Sequence, residues 1–528
     1  MTIKNKILDN SYIAVFSVMV IAAIIFSHPF LKLPFDMWEH LTVITSFYDN
    51  GKSFIFWPED VRRSMYLWHL VWGYFFKFIH INDIFVWAKI IHVSQSILSY
   101  VCIAFFSSTF VKLALPNIKN VERQMLIIFS IILWFIGNGS AEYDQRAWIL
   151  WYSITYQGLT IPLYWYISAL SMHILFDKCS IRRQKIVALS QIVLILPLLL
   201  IIHPTEALFY LISLMVMVCF CRSYVHNIII AYRWPFVFAI SFLSICFVII
   251  ILTKSIPVPS LFTDFYATYV LYVDKVKSVG LGRLVMELNA FPKAFSEIAI
   301  FSLLAGLFTL WISKKRSIII NQNLFKSQLI SSILFFLVPV IPLTFIVAAI
   351  ITHYQIVWRF YYGSAWFVIL PVFVFAILPD KSAVKRHVYM SVSMIGMTAT
   401  AFVASHYLFY GSLFGNTMSL LNSFGERGKQ NNDIQYSSGA MDALKEIIDK
   451  NDINVKGKTN IFYIRGDLAP IVRGVFRKYV YSNRTVQFSK ASFYPRAEAY
   501  KYNLIDIDLP RDFPKDEKSV SYFSLEKR

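Results

Sequence analysis

The sequence is poor in charged residues. Only 15% of its 528 residues are Asp, Glu, Lys or Arg, whereas a soluble domain carries about a quarter. It contains just 18 glycines, 19 prolines and 5 cysteines, and it has no low-complexity tract. These shortages exclude an intrinsically disordered chain, collagen, a coiled coil and an ordinary cytosolic enzyme.

Apolar residues are abundant instead. They make up 57% of the chain, aromatic residues make up 17%, and the mean hydropathy is +0.56. Runs long enough to cross a bilayer as helices recur along most of the sequence. We therefore predict an α-helical polytopic membrane protein with about 11 transmembrane helices. The predicted spans are 11–31, 84–111, 125–140, 158–176, 186–202, 207–221, 234–253, 293–313, 328–351, 361–379 and 387–409.

The distribution of Lys and Arg predicts the orientation of these spans. With the N-terminus in the cytoplasm, the inner segments hold 18 of these cations, whereas the short outer loops hold only Arg146 and Arg359. An odd number of spans then places the C-terminal tail outside. The formal charge of +19 is therefore explained mostly by membrane topology, and no nucleic-acid partner is expected.

The sequence divides into two predicted domains. Residues 1–410 form the transmembrane domain, and residues 411–528 form a small soluble α/β domain on the extracytoplasmic side. In this tail, residues 442–450 have helical spacing, residues 459–464 resemble a buried strand, and residues 471–481 fit either a helix or a strand.

Two long segments lie between spans on the predicted outer side. The first, residues 32–83, contains residues 66–76, which are rich in Trp, Tyr and Phe but too short to cross, so we predict an interfacial helix there on the bilayer surface. Residues 254–292 contain several Pro and Gly residues and are predicted to form a loop with short helices that covers a site.

Acidic residues point to the outer face. Within residues 1–410 the predicted inner side carries 4 Asp or Glu residues and the outer side carries 13. The sharpest local feature is Asp36-x-x-Glu39-His40, just beyond the first span. If this stretch is helical, the three side chains share one face and could act as a general base, bind a hydroxyl-rich substrate or hold a divalent metal. The alternative is a helix start in which Asp36 and Glu39 form a capping box.

Three further groups fall at outer positions. Glu142 and Asp144 precede a run of Trp and Tyr residues, a combination that suits carbohydrate binding, although an interfacial aromatic belt would look the same. His203 and Glu206 link two spans and could either join a site or cap a hairpin.

The last outer group is His353 and Arg359. A guanidinium in a short outer loop could bind a phosphate, or it could reach lipid headgroups.

Several catalytic motifs are missing from the sequence. It contains no Walker A loop, no HExxH, no CxxC and no GxSxG. Nucleotide hydrolysis, zinc proteolysis and the usual serine esterase chemistry therefore lack support. The cysteines fall in spans or inner segments, so the outer face is predicted to be built without disulfides.

The combination of Asp36-x-x-Glu39-His40 in the first outer segment with Glu142-x-Asp144 in a later one resembles the GT-C superfamily of integral membrane glycosyltransferases. The resemblance covers residues 1–410 and is greatest to bacterial enzymes that decorate surface polysaccharide, such as O-antigen glucosyltransferases. The chain lacks the WWDYG motif of oligosaccharyltransferases.

The resemblance implies an inner-membrane enzyme of bacteria that moves a sugar from a polyprenyl-phosphate donor to an O-antigen or similar glycan, or to a lipid-linked acceptor. Asp36 or Glu39 would be the catalytic base. The substrate-binding residues would be His40, Glu142, Asp144, His203, Glu206, His353 and Arg359. A divalent metal is possible but is not required by the sequence. An O-antigen polymerase or ligase, and a non-enzymatic transporter of lipid-linked glycans, remain as alternatives.

Overall fold

The protein is described by a computed structural model. The residues it describes are 11–27, 40–41, 43–45, 47–48, 66–137, 139–140, 146–147, 153–177, 179, 181–222, 225–226, 230, 233–252, 297–316, 321–338, 341, 344, 348, 354–378, 388–389, 391–396, 461–464 and 479–482.

Helices dominate the described residues. In chain order they are α1 (Ser11–Phe26), α2 (Tyr66–Phe78), α3 (Ile84–Ala114), α4 (Asn120–Gly137), α5 (Gln157–Phe176), α6 (Arg182–Ile202), α7 (Pro204–Phe220), α8 (Arg233–Leu252), α9 (Glu297–Arg316), α10 (Gln322–Leu337) and α11 (Trp366–Ile377). A 3-10 helix, Tyr354–Gly363, precedes α11, and short strands lie at Gly139–Ser140 (β1), Arg146–Ala147 (β2), Ile461–Ile464 (β3) and Tyr479–Ser482 (β4).

A helix overlaps each of the first ten predicted spans, and residues 388–389 and 391–396 of the eleventh are helical. Among the described residues, three helices are long and apolar enough to cross a membrane: Val86–Ala114, Gln157–Phe176 and Arg182–Ile202. Shorter apolar helices accompany them. The polytopic helical class is thus supported, whereas the number of 11 crossings stays a prediction.

Three predicted boundaries were wrong. Helix α4 ends at Gly137, before the end of the predicted span 125–140. The reason is that Gly139 and Ser140 pair with Ala147 and Arg146 as antiparallel strands. Helix α10 begins at Gln322, earlier than the predicted span 328–351. The reason is that the Asn321 side chain accepts a hydrogen bond from the Leu324 backbone N–H and so caps the helix there. The predicted span 361–379 begins inside the 3-10 helix Tyr354–Gly363, and helix α11 begins only at Trp366.

The chain forms two compact units. The first comprises Met1–Ser27, Val93–Ser153 and Gln157–Asn422, and the second comprises His28–His92, Ile154–Tyr156 and Ser423–Arg528. The predicted domain boundary near residue 410 lies outside the described residues.

The first unit is a helical bundle whose helices approach closely at small residues. A Cβ on Gly306 of α9 would lie 2.7 Å from Leu329 of α10 and 2.8 Å from Ile369 of α11. Buried hydroxyls in the bundle donate to carbonyls of their own helix, as Ser99, Ser130 and Thr309 do four residues back. This arrangement satisfies polar groups without water, as an apolar surrounding requires.

In the second unit, α2 confirms a helix where an interfacial one was predicted. Its face containing His69, Gly73 and Phe76 is buried, whereas five apolar side chains on the remaining surface are exposed: Leu70, Val71, Tyr74, Phe75 and Phe78. Such a surface suits contact with lipid.

The described part of the tail consists of two parallel strands. β3 pairs with β4 from Ile461 opposite Tyr479 to Ile464 opposite Ser482. β3 falls where a strand was predicted, and β4 overlaps the end of the ambiguous stretch 471–481. The helical part of the predicted α/β domain, residues 442–450, lies outside the described residues.

Candidate functional site

The second unit contains a pair of hydrogen-bonded imidazoles. Nδ1 of His40, from the Asp36-x-x-Glu39-His40 motif, lies 2.8 Å from Nε2 of His69 on α2. His69 is buried and His40 is half-buried. One ring donates and the other accepts, so the hydrogen bond is lost if both of these nitrogens carry a proton. The pair can therefore hold a proton at one of two nitrogens while it stays bonded.

Aromatic rings surround this histidine pair. The His40 ring contacts Tyr156 edge-on, with ring centroids 5.2 Å apart, and Trp68 at 6.0 Å. Trp68 also lies edge-on against His69 at 5.0 Å. Both Trp68 and Tyr156 are buried. These walls limit the access of water to the histidine pair and hold both rings in place.

Two helical faces meet to form the pair. We call the described helical residues His40, Leu41, Val43, Ile44, Thr45, Phe47 and Tyr48 the His40 segment. In this segment His40, Ile44 and Phe47 follow the spacing i, i+4, i+7, and so do His69, Gly73 and Phe76 on α2.

Gly73 sets the distance between these two faces. A Cβ at that position would lie 2.6 Å from the Phe47 Cβ and 3.0 Å from the Ile44 carbonyl oxygen. The absence of a side chain there lets the backbones approach closely, and the approach brings the two imidazoles into hydrogen-bonding range.

The first unit contains a buried imidazole–carboxylate pair. His203 caps the N-terminus of α7 in an extended conformation, Pro204 follows it, and Glu206 lies in the first turn. The His203 Nδ1 bonds directly to the Glu206 carboxylate, and both side chains are almost fully buried. A carboxylate in this turn is stabilised by the helix dipole, while Pro is favoured at the first helical position.

Arg359 belongs to the same packed region. It lies half-buried on the 3-10 helix beside Phe360, whose ring is 5.1 Å from that of Phe209, one turn beyond Glu206 on α7.

Tyr164 of α5 fixes the end of this 3-10 helix. Its hydroxyl donates to the Gly363 carbonyl at 2.8 Å and lies 3.1 Å from the Ser213 hydroxyl of α7. Helix α7, through Phe209 and Ser213, and the 3-10 helix that carries Arg359 thus pack together, and we call this contact the α7 junction. A guanidinium and a carboxylate held on such a frame can bind an anion and a hydroxyl group, respectively.

The predicted site residues fall into three sets. His203 and Glu206 bond to each other at the start of α7, Arg359 lies on the 3-10 helix that packs against α7, and His40 joins His69. The remaining five lie outside the described residues: Asp36, Glu39, Glu142, Asp144 and His353. The β1–β2 hairpin, through Ser140 and Arg146, brackets the stretch that contains Glu142 and Asp144.

His69 was missed in the sequence. It lies in an aromatic stretch that predicts only an interfacial helix, and its single signal was an imidazole on the face that also carries Gly73. No group of three or more His, Cys, Asp or Glu side chains able to hold a metal occurs within the described part of the chain.

Comparisons with known proteins complete the description. No family model and no curated protein matches the sequence. Among solved structures, the fold is similar to the archaeal oligosaccharyltransferase AglB from Archaeoglobus fulgidus, solved in complex with an inhibitory peptide and a dolichol-phosphate. The TM-score is 0.48 at 11% identity, over 91% of this chain and 65% of that one. The chain therefore spans less than two thirds of that protein.

Proposed function

We propose that the protein is a membrane glycosyltransferase of the GT-C type, which moves a sugar from a polyprenyl-phosphate donor to an O-antigen or similar surface glycan. The observation that carries the proposal is the His40–His69 hydrogen bond, since His40, the next residue after Glu39, shares a proton with the buried His69. The proposed location is the extracytoplasmic side of a bacterial inner membrane.

The proposed reaction is a substitution at the anomeric carbon. A hydroxyl oxygen of the acceptor attacks that carbon, the bond from the carbon to the phosphate oxygen breaks, and polyprenyl phosphate leaves with the bonding electrons. Asp36, or Glu39, takes the hydroxyl proton as general base. The His40–His69 pair then supports the base by accepting or returning a proton while the aromatic walls limit exchange with water.

The α7 junction is proposed to serve the phosphate end of the donor. As the leaving group departs, negative charge grows on its phosphate oxygens, and the Arg359 guanidinium can hold two of them by paired hydrogen bonds. His353 would assist. Glu206, oriented by His203, would accept hydrogen bonds from sugar hydroxyls.

The acceptor is proposed to be bound by Glu142 and Asp144 with the aromatic residues that follow them. Rings pack against the C–H faces of a sugar while carboxylates accept its hydroxyl protons. A lipid-linked donor suits this location because nucleotide sugars are not available outside the cell, whereas a polyprenyl carrier diffuses within the bilayer to a site at its surface.

The surface glycans of the source cells test this proposal. Deletion of the gene should remove one sugar from the glycan, and the wild-type gene should restore it. Asp36→Asn should fail to restore it, whereas Glu59→Gln, which removes a carboxylate from the same predicted outer segment, should succeed. Unchanged glycans after deletion, with no related enzyme expressed, would contradict the proposal.

A further inference from the structure

A pocket lies among α3, α5 and α6, and none of its lining residues has been assigned a role above. Its volume is about 530 Å³. These three are the helices that, among the described residues, are long and apolar enough to cross a membrane. The pocket begins where these helices end: Lys112 lies in the last turn of α3, Asp177 directly follows α5 and Arg183 lies in the first turn of α6.

The side chains at the mouth of the pocket carry a net positive charge. Lys112 and Arg183 are exposed there. The carboxylate among them, Asp177, already bonds to His173 Nδ1 at 3.2 Å and accepts from the Cys179 backbone N–H at 3.0 Å. Lys112 and Lys185 also lie close enough to act electrostatically on His173. A monoanion is therefore attracted to the mouth.

The pocket becomes apolar and aromatic with depth. Phe105 lies seven residues before Lys112, and Tyr166 lies seven before His173, so each is about 10 Å along its helix from the charged end. Their rings are 5.3 Å apart. The Tyr166 hydroxyl donates to the Gln191 side chain at 3.0 Å, eight residues beyond Arg183. The lining of α3 and α5 thus changes from charged to aromatic over about two turns, and that of α6 changes from charged Arg183 to apolar Val187 and Ala188, with the Gln191 amide bonded to Tyr166 at the deep end.

We propose that this pocket binds an anionic phospholipid. The phosphate would lie at Lys112 and Arg183, with His173 beside it, and the first part of an acyl chain would extend along the α3–α5–α6 wall. Guanidinium and ammonium groups suit a phosphate monoanion, and an apolar cleft about two turns deep suits hydrocarbon. The ends of membrane-crossing helices lie at the depth of lipid headgroups. The Lys and Arg bias assigns this end of the helices to the cytoplasmic leaflet.

Native mass spectrometry of the full-length protein tests the proposal. The protein is equilibrated in detergent with equal amounts of phosphatidylglycerol and phosphatidylcholine that carry the same acyl chains. Wild type should retain phosphatidylglycerol preferentially. Since one cation near a lipid surface contributes roughly a fivefold change, the double variant Lys112→Gln with Arg183→Gln should lose about 25-fold in that preference.

Arg182→Gln is the matched control, because Arg182 is exposed and adjacent in sequence but does not line the pocket. If the lipid binds in the pocket, Arg182→Gln should change the preference for phosphatidylglycerol by less than about twofold. If the lipid is held only by the general positive charge of the surface, Arg182→Gln should lose about fivefold, as Arg183→Gln does. Arg183→Lys keeps the charge and should keep the preference. Val187→Trp, which fills the pocket from an exposed lining position, should reduce retention of both lipids.

Two outcomes would overturn the proposal. One is an equal loss of preference in Arg182→Gln and Arg183→Gln. The other is displacement of phosphatidylglycerol by inorganic phosphate or glycerol phosphate at millimolar concentration, which would show a site for a soluble anion. Thermal unfolding of each variant in the same detergent identifies any that fail to fold. If the double variant fails, the single variants Lys112→Gln and Arg183→Gln decide the result, since each should lose about fivefold in the preference.

Discussion

At the scale of single residues, the His40–His69 bond separates two roles. In the proposed mechanism His40 is the ring that exchanges a proton with Asp36 or Glu39. His69 is buried on α2 and bonded to His40, so we propose that it is a positioning residue that acts through His40. Its substitution should then change how His40 behaves more than it changes substrate binding.

A double-mutant cycle tests this division. We expect His40→Gln to lower kcat by about 100-fold and His69→Gln by about tenfold, with the double variant no worse than His40→Gln alone, because both act through one hydrogen bond. His69→Gln should also shift the pH dependence of kcat, whereas a purely structural defect would lower the rate equally at each pH.

His80→Asn is the control for the cycle. His80 lies beyond the end of α2 with a φ of 55°, a conformation that Asn tolerates, so its activity should equal that of wild type. Additive losses in the double variant would show that the two rings act independently.

Arg359 should act on the donor. Removal of a guanidinium that stabilises a departing phosphate raises the free energy of the transition state. Arg359→Ala should therefore lower kcat/KM for the polyprenyl donor by about 100-fold or more. Arg359→Lys should recover part of this loss, since it restores the charge without the paired hydrogen bonds. The KM for the acceptor should change by less than about twofold. Steady-state kinetics with each substrate varied separately would reveal the opposite pattern if Arg359 bound the acceptor.

At the scale of elements, Gly73 determines whether α2 and the His40 segment can approach. Gly73→Ala places a Cβ against Phe47 and the Ile44 carbonyl, so the two elements must separate. We expect a loss of about 1–3 kcal/mol in stability together with a loss of transfer activity like that of His69→Gln, because the imidazoles move apart.

Gly396→Ala provides the matched comparison. A Cβ there meets nothing within 4 Å, and Ala favours the helix by up to about 1 kcal/mol. Thermal unfolding in detergent and a transfer assay should therefore show no loss in this variant. Equal behaviour of the two variants would contradict the close contact at Gly73.

Some of these helices could be predicted from the sequence and others could not. Long apolar runs predicted α3, α5 and α6 to within a few residues, because length and hydropathy alone determine such helices. The Tyr354–Gly363 helix was missed, since the charge of Arg359 interrupts an otherwise apolar and aromatic stretch and this interruption predicts a loop between two spans. Its conformation depends on contacts distant in sequence, such as the Tyr164 bond to Gly363. His69 was missed for the same reason, since its partner is 29 residues away.

At the scale of the whole molecule, the topology rests on the distribution of Lys and Arg. Cys179, between α5 and α6, offers a natural probe because its side chain is exposed and it lies on the predicted cytoplasmic side. In a variant that keeps only this cysteine, a membrane-impermeant maleimide should label inside-out vesicles and leave intact spheroplasts unlabelled.

The tail supplies the opposite control for topology. A single cysteine introduced as Asn483→Cys should be labelled in intact spheroplasts, because residues 411–528 are predicted to lie outside. Labelling of both positions from the same side would mean that an even number of crossings separates them, and the span assignment would have to change.

The central claim is sugar transfer from a lipid carrier, and the most direct measurement is made with purified full-length protein in nanodiscs. A synthetic polyprenyl-phosphate sugar and glycan acceptors prepared from the deletion strain are supplied, and release of polyprenyl phosphate and growth of the glycan are followed together. Wild type and Glu59→Gln should release one carrier for each sugar added, whereas folded Asp36→Asn should do neither. Full transfer by Asp36→Asn, or no transfer by wild type with any polyprenyl-phosphate sugar, would contradict the account.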